Sequence, residues 1–123
     1  MPIIFDAQTR RTETPNAVMI TLASPTLGGA GQAVWRVEMQ PAAAGPAHSF
    51  DTEQIWTVLD GGATVELDGE ALRLARGDTL VVPAGAPRRI VAGPFGLTAL
   101  VTAPAGGRAS TDGTDRGVPP WIA

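Results

Sequence analysis

The stretch Gly77-Asp78-Thr79-Leu80-Val81-Val82-Pro83-Ala84-Gly85-Ala86-Pro87-Arg88 decides the fold. A short apolar strand is bracketed by a glycine–aspartate pair on one side and a Pro-x-Gly turn on the other. Proline ends a strand because it has no N–H to give to the ladder, and glycine admits the tight turns between strands. Asp78, at the strand start, reads as the residue that ties down a turn.

The same grammar extends outward in both directions. Gln32 to Met39 alternates, with Ala33, Trp35, Val37 and Met39 on one face and Arg36 and Glu38 on the other. Val65 and Leu67 stand opposite Glu66 and Asp68, and Arg73 separates Leu72 from Leu74. These are the period-2 patterns of half-buried strands. Residues 18–22, 54–59, 79–82, 88–92 and 95–101 read as further short strands, punctuated by pairs such as Gly61-Gly62 and Gly93-Pro94. Asp68-Gly69 predicts a two-residue hairpin turn. No segment has a 3.6-residue period, so the expectation is an all-β sandwich or barrel with little or no helix.

Residues 1–104 are assigned to the barrel and 105–123 to a tail. The Gly-, Ser-, Thr- and Asp-rich part of that tail, 105–117, predicts a mobile or surface segment. An exposed Trp121-Ile122 pair would be unfavourable, so the tail is expected to pack back through Trp121.

The chain has 123 residues, one domain by length, and can bury a core without staples. It has no cysteine, which excludes disulfides and thiolate-held metals. Net charge is −3, and all nine basic residues are arginines, scattered apart from Arg10-Arg11 and Arg88-Arg89. Nucleic acid is therefore not an expected partner, because that needs a clustered basic face. No apolar run approaches the roughly 18 residues that cross a bilayer, and the start has no secretory pattern, so a cytoplasmic location is expected. There is no tyrosine to act as a general acid. His48 is the one histidine, and any acid–base or metal hypothesis begins with it.

Two segments resemble the signatures of the cupin superfamily. The first is Gly45-Pro46-Ala47-His48-Ser49-Phe50-Asp51-Thr52-Glu53-Gln54-Ile55-Trp56, continuing to Gly61; the second is the stretch from Gly77 to Arg88. The resemblance implies a small single-domain cupin: a double-stranded β-helix, or jelly-roll barrel, of two antiparallel sheets. It also implies that two histidines and a glutamate of the first motif, with one histidine of the second, would converge on a metal. This chain keeps the first of these as His48. It has Phe50, Gln54 and Arg88 at the others, so the resemblance implies a degenerate metal site, and no metal or cofactor is expected. Glu53 lies one position from the family's glutamate, but its parity turns it to the opposite face.

His48, Phe50 and Gln54 share a parity, as do Trp56 and Val58, so one face is expected to point into the barrel. The candidate catalytic residues are His48, as a base, and Arg88, as the receiver of an anionic group. The candidate substrate-binding residues are Gln54, Trp56, Phe50, Trp35 and Met39. The bland alternatives are a satisfied histidine, a surface arginine and a filled core. The expected function is binding of a small molecule, with proton-transfer chemistry of the isomerase, cyclase or lyase kind on an apolar or aromatic substrate with a carbonyl or anionic group. The alternatives are a metal-dependent oxygenase or isomerase with an incomplete ligand set, and a ligand-sensing or structural barrel without turnover. A homodimer is expected, with Ile3, Ile4 and Phe5 meeting the partner.

Overall fold

The computed structural model describes residues 3–123. Ten strands follow a single 3-10 turn at Asp6–Gln8, and there is no α-helix among the described residues. The strands are β1 (Arg10–Glu13), β2 (Val18–Ala23), β3 (Gln32–Met39), β4 (Ser49–Phe50), β5 (Gln54–Leu67), β6 (Glu70–Ala75), β7 (Thr79–Val82), β8 (Arg88–Pro104), β9 (Ala109–Thr111) and β10 (Thr114–Gly117). They form two antiparallel sheets. One runs β1-β2-β3-β8-β5-β6, with β7 also paired to β5; the other runs β10-β9-β4.

The period-2 patterns become inward and outward faces. On β3, Ala33, Trp35, Val37 and Met39 are buried; on β5, Gln54, Trp56, Val58, Ala63 and Val65 are buried. The inward side chains of β8, among them Ile90, Leu97, Ala99 and Val101, complete the core. The Asp68-Gly69 turn joins β5 to β6 with both residues at positive φ, the conformation of a two-residue hairpin loop. Asp78 Oδ2 accepts the Ala75 N–H at 2.8 Å and so ties down its turn.

Two expected strand breaks are bends instead. Gly61-Gly62 lies within β5 and Gly93-Pro94 within β8. The β5–β8 register slips between Val58 and Asp60 and again between Gly61 and Ala63. These bulges let two long strands turn the barrel corner without ending. Gly61 is obligatory there: its φ is +68°, and a Cβ would collide with the Gly96 carbonyl of the facing strand.

Residues 105–117, expected as a mobile or surface segment, lie largely at the surface but are ordered into strands. They fold into the β9–β10 hairpin around Asp112-Gly113, and β9 pairs with β4 through Ser49↔Ser110 and Phe50↔Ala109. Beyond it the chain crosses to β2. Ile122 is fully buried, and Thr21 Oγ1 donates to the Trp121 carbonyl at 2.8 Å. Arg10 and Ser24 hold the Ala123 main-chain oxygen at 2.8 and 2.6 Å. Among the described residues no helix is long and apolar enough to cross a membrane.

Candidate functional site

The inward faces of β2, β3, β5 and β8 do not fill the barrel completely. An inner chamber of about 70 Å³ is lined by Met19, Trp35, Val37, Met39, Phe50, Gln54, Trp56 and Ile90. An outer chamber of about 370 Å³ adjoins it, sharing His48, Phe50 and Trp121 as lining residues. The outer walls are Pro15 and Asn16 of the β1–β2 turn, Pro46, and the tail residues Pro119, Pro120 and Trp121. Its volume falls in the range of small-molecule pockets. Six of the seven expected site residues line the inner chamber: His48, Gln54, Trp56, Phe50, Trp35 and Met39.

Arg88 is the seventh, and it is not part of the wall. It is 2% exposed, and its guanidinium turns away from both chambers. Nε and Nη2 donate to the Ala86 carbonyl at 3.1 and 3.0 Å, Nη2 also reaches Pro83 O at 3.4 Å, and Nη1 donates to Gln54 Oε1 at 3.3 Å. The Phe50 ring covers it, with Cζ 5.4 Å from the ring centroid. The expectation that Arg88 receives an anion directly is corrected here. Its Cα faces His48 across two main-chain hydrogen bonds, so backbone parity was read properly. The long side chain curls back because a desolvated guanidinium seeks acceptors, and the Pro83–Ala86 turn supplies them. Burial lowers its pKa to about 10, against the opposing charge of Asp68, so it remains a cation at neutral pH.

His48 stands just ahead of β4, at the junction of the chambers. Its Nδ1 lies 2.7 Å from the Pro46 carbonyl. A carbonyl has no proton to give, so Nδ1 carries the hydrogen and Nε2 keeps a lone pair. Desolvation lowers the imidazole pKa most; the Pro46 bond raises it, and the Arg88 charge lowers it further. The ring packs edge-on to Phe50, centroids 5.3 Å apart. The result is an oriented, neutral imidazole.

Gln54 is 1% exposed on the first residue of β5. Its Oε1 accepts from Trp56 Nε1 at 3.2 Å and from Arg88 Nη1. Its Nε2 is buried and has no hydrogen-bond partner.

The donor set does not suit the metal that the motif would imply. Phe50 has no donor atom, the Gln54 oxygen already accepts from two groups, and a guanidinium stands beside it. Glu53 is exposed on the outer face. No three His, Asp or Glu side chains cluster among the described residues in a way that could hold an ion.

The wall residues that sequence reasoning missed are those of the β1–β2 hairpin, Thr14, Asn16 and Met19, together with Val37 and Ile90. Trp121 is partly buried against the core cluster and forms part of the cavity wall.

Comparison with known proteins follows the same lines. Residues 35–94 match the cupin domain family model. No curated protein matches the chain significantly in sequence. An RmlC-like cupin from Shewanella frigidimarina NCIMB 400 superposes with a TM-score of 0.71 at 23% identity, over 84% of this chain and 90% of that one. A salicylate 1,2-dioxygenase from Pseudoaminobacter salicylatoxidans, in adducts with gentisate, gives 0.73 at 20% identity, over 85% of this chain and 31% of the dioxygenase. Oxalate decarboxylase from Bacillus subtilis gives 0.69 at 18% identity, over 80% of this chain and 27% of that enzyme. At such identities the likeness speaks for the fold alone. Two antiparallel sheets closed into a barrel, both sequence motifs and the domain match agree: this chain carries a cupin domain, matched over residues 35–94, in a cupin fold.

Proposed function

We propose that this cupin binds a small molecule in its two-chambered cavity and moves a proton on it without a metal, in isomerase, cyclase or lyase chemistry. One observation supports this above the others: His48, the sole imidazole of the chain, lines both apolar chambers, is held through Nδ1 to the Pro46 carbonyl, and has its pKa lowered by burial, which favours the neutral form. That is the arrangement of a general base, whose efficiency depends on being unprotonated and oriented at neutral pH. Trp35, Met39, Phe50 and Trp56 offer an apolar or aromatic body its contacts, and they keep water from competing for the proton. Arg88, turned from the wall, touches the cavity wall by a hydrogen bond to Gln54 and helps keep the His48 imidazole neutral through its charge. We propose a homodimer as the working assembly. Ile3 and Phe5 are 58% and 64% exposed, while the Ile4 side chain sits over Gly28 and anchors the arm that presents them.

The test is carbon-acid exchange. Aryl ketones and aryl β-diketones are incubated with the protein in D2O, and deuterium uptake next to the carbonyl is followed by mass spectrometry. Uptake above the buffer rate that disappears in His48→Ala supports the reading. Equal uptake with His48→Ala refutes it. Probes that bind but never exchange assign the barrel to ligand sensing.

A further inference from the structure

We propose that the Gln54 side-chain amide is a recognition group for a ligand oxygen, so that the inner chamber takes the carboxylate or carbonyl end of a molecule with an apolar, flat body. The proposal rests on the small-molecule reading above and names the chemistry of its ligand.

The orientation of the amide is dictated by its neighbours. An indole N–H and a guanidinium are donors only. Both Trp56 Nε1 and Arg88 Nη1 point at the same amide atom, at 3.2 and 3.3 Å, so that atom is the oxygen. Turning the amide over would set its NH2 against two donors. Nε2 is therefore held toward the remaining side, buried and unpartnered, on a residue that lines the inner chamber. An unmet buried donor is costly and uncommon, and it marks a place where a partner is missing. The rest of the inner wall is nearly all hydrocarbon and indole: Trp35, Val37, Met39, Phe50 and Ile90 offer no strong acceptor. Thr14, Asn16, Pro46 and His48 also line the chamber, but none of them bonds Nε2, so a ligand oxygen is the acceptor that completes it.

Charge sharpens the choice. None of the four ion pairs among the described residues includes Arg88, so its cation has no carboxylate at contact distance. A guanidinium bonded to the amide oxygen polarises the amide and strengthens its N–H donors. An acceptor bearing negative charge is favoured over a neutral one. At the other end, the His48 Nε2 lone pair meets a ligand proton donor or acidic C–H. Arg88 is thus a positioning residue that acts through Gln54.

All three tryptophans of the chain, Trp35, Trp56 and Trp121, line the inner chamber, so fluorescence reports its occupancy. The probes are benzoate, acetophenone and benzylamine, which share an aromatic body and differ at the polar end. Benzoate and acetophenone are expected to bind the parent protein, and benzylamine to bind about tenfold or more weakly, the factor that one hydrogen bond to a charged group supplies. Gln54→Met is expected to weaken benzoate and acetophenone by the same factor and to leave benzylamine unchanged. Gln54→Glu keeps acceptors for Trp56 and Arg88, so it is expected to melt no lower than the parent while reversing the preference toward benzylamine. Arg88→Lys should keep the preference for benzoate over acetophenone, and Arg88→Met should erase that preference while acetophenone still binds. The proposal is overturned if benzylamine binds the parent as tightly as benzoate, or if folded Gln54→Met and Gln54→Glu both bind benzoate as the parent does; the small-molecule site would survive either result. If no probe changes the fluorescence or shifts the His48 imidazole resonance, the small-molecule reading falls and this inference with it.

Discussion

Truncating Ile122 separates the anchor of the tail from its cavity-facing neighbour. Ile122 is fully buried in the core cluster, whereas Trp121 is half-buried and lines both chambers. Ile122→Ala removes a fully buried side chain and leaves a cavity, at a cost of about 2–5 kcal/mol. The hydrogen bonds of the tail engage main-chain oxygens of Pro120, Trp121 and Ala123, so truncating a side chain spares them and the loss reports packing alone. The unfolding entropy is about 2.1 cal/mol/K per residue, or about 0.26 kcal/mol/K for 123 residues. The melting temperature should then fall by about 8–20 °C, measured by calorimetry or circular dichroism at fixed protein concentration. Trp121→Ala should cost about 1–2 kcal/mol, or about 4–8 °C, because much of the indole already meets solvent or open cavity. It should also change probe affinity, which Ile122→Ala alters only if the tail comes loose. A drop under about 3 °C for Ile122→Ala, or a larger drop for Trp121→Ala, would refute the division between anchor and wall.

Three further outcomes are expected. The folded-state pKa of His48 lies below its usual value, so the unfolded chain takes up the proton first: stability should be constant above the ordinary histidine pKa, decline as pH falls from there to the folded value, and level off below it. His48→Gln should flatten that decline, and a parent protein that gains stability over the same window would contradict the assignment. Protein purified without a metal-binding tag should contain well under one equivalent of any transition metal and melt unchanged after mild chelation; stoichiometric metal lost in His48→Ala would show a functioning ion site instead. Light scattering at micromolar concentration should report a dimer, weakened by deleting residues 1–5, and a monomeric parent would refute the proposed assembly.

The inward parity of β3 and β5 was legible in the sequence because a period of two leaves no freedom once one buried residue is known; Trp35, Met39, Gln54 and Trp56 all came from it. Four things were not. Glycine pairs read as stops, yet Gly61-Gly62 bends a strand that continues. Parity fixes where Cβ points but not where a long side chain ends, which is why Arg88 was placed in the cavity. The Asp112-Gly113 turn has the same chemistry as Asp68-Gly69, but β9 and β10 are short and polar, so no alternation flagged them. The β1–β2 wall escaped because it lies outside both motifs.

The ladder between β3 and β8 joins Gln32 to Pro104, and the Thr21–Trp121 bond spans 100 residues. A ribosome must therefore release most of the chain before the central ladder can zip, and nearly all of it before the cavity gains its outer wall. Until then the aromatic interior is an open trough, exposed to chaperones and to neighbouring nascent chains. Such non-local wiring places refolding on a timescale of roughly milliseconds to seconds, with loop closure as the slow event. Stopped-flow fluorescence can time the sequence, because Trp35 and Trp56 should be enclosed with the barrel and Trp121 only when the tail docks.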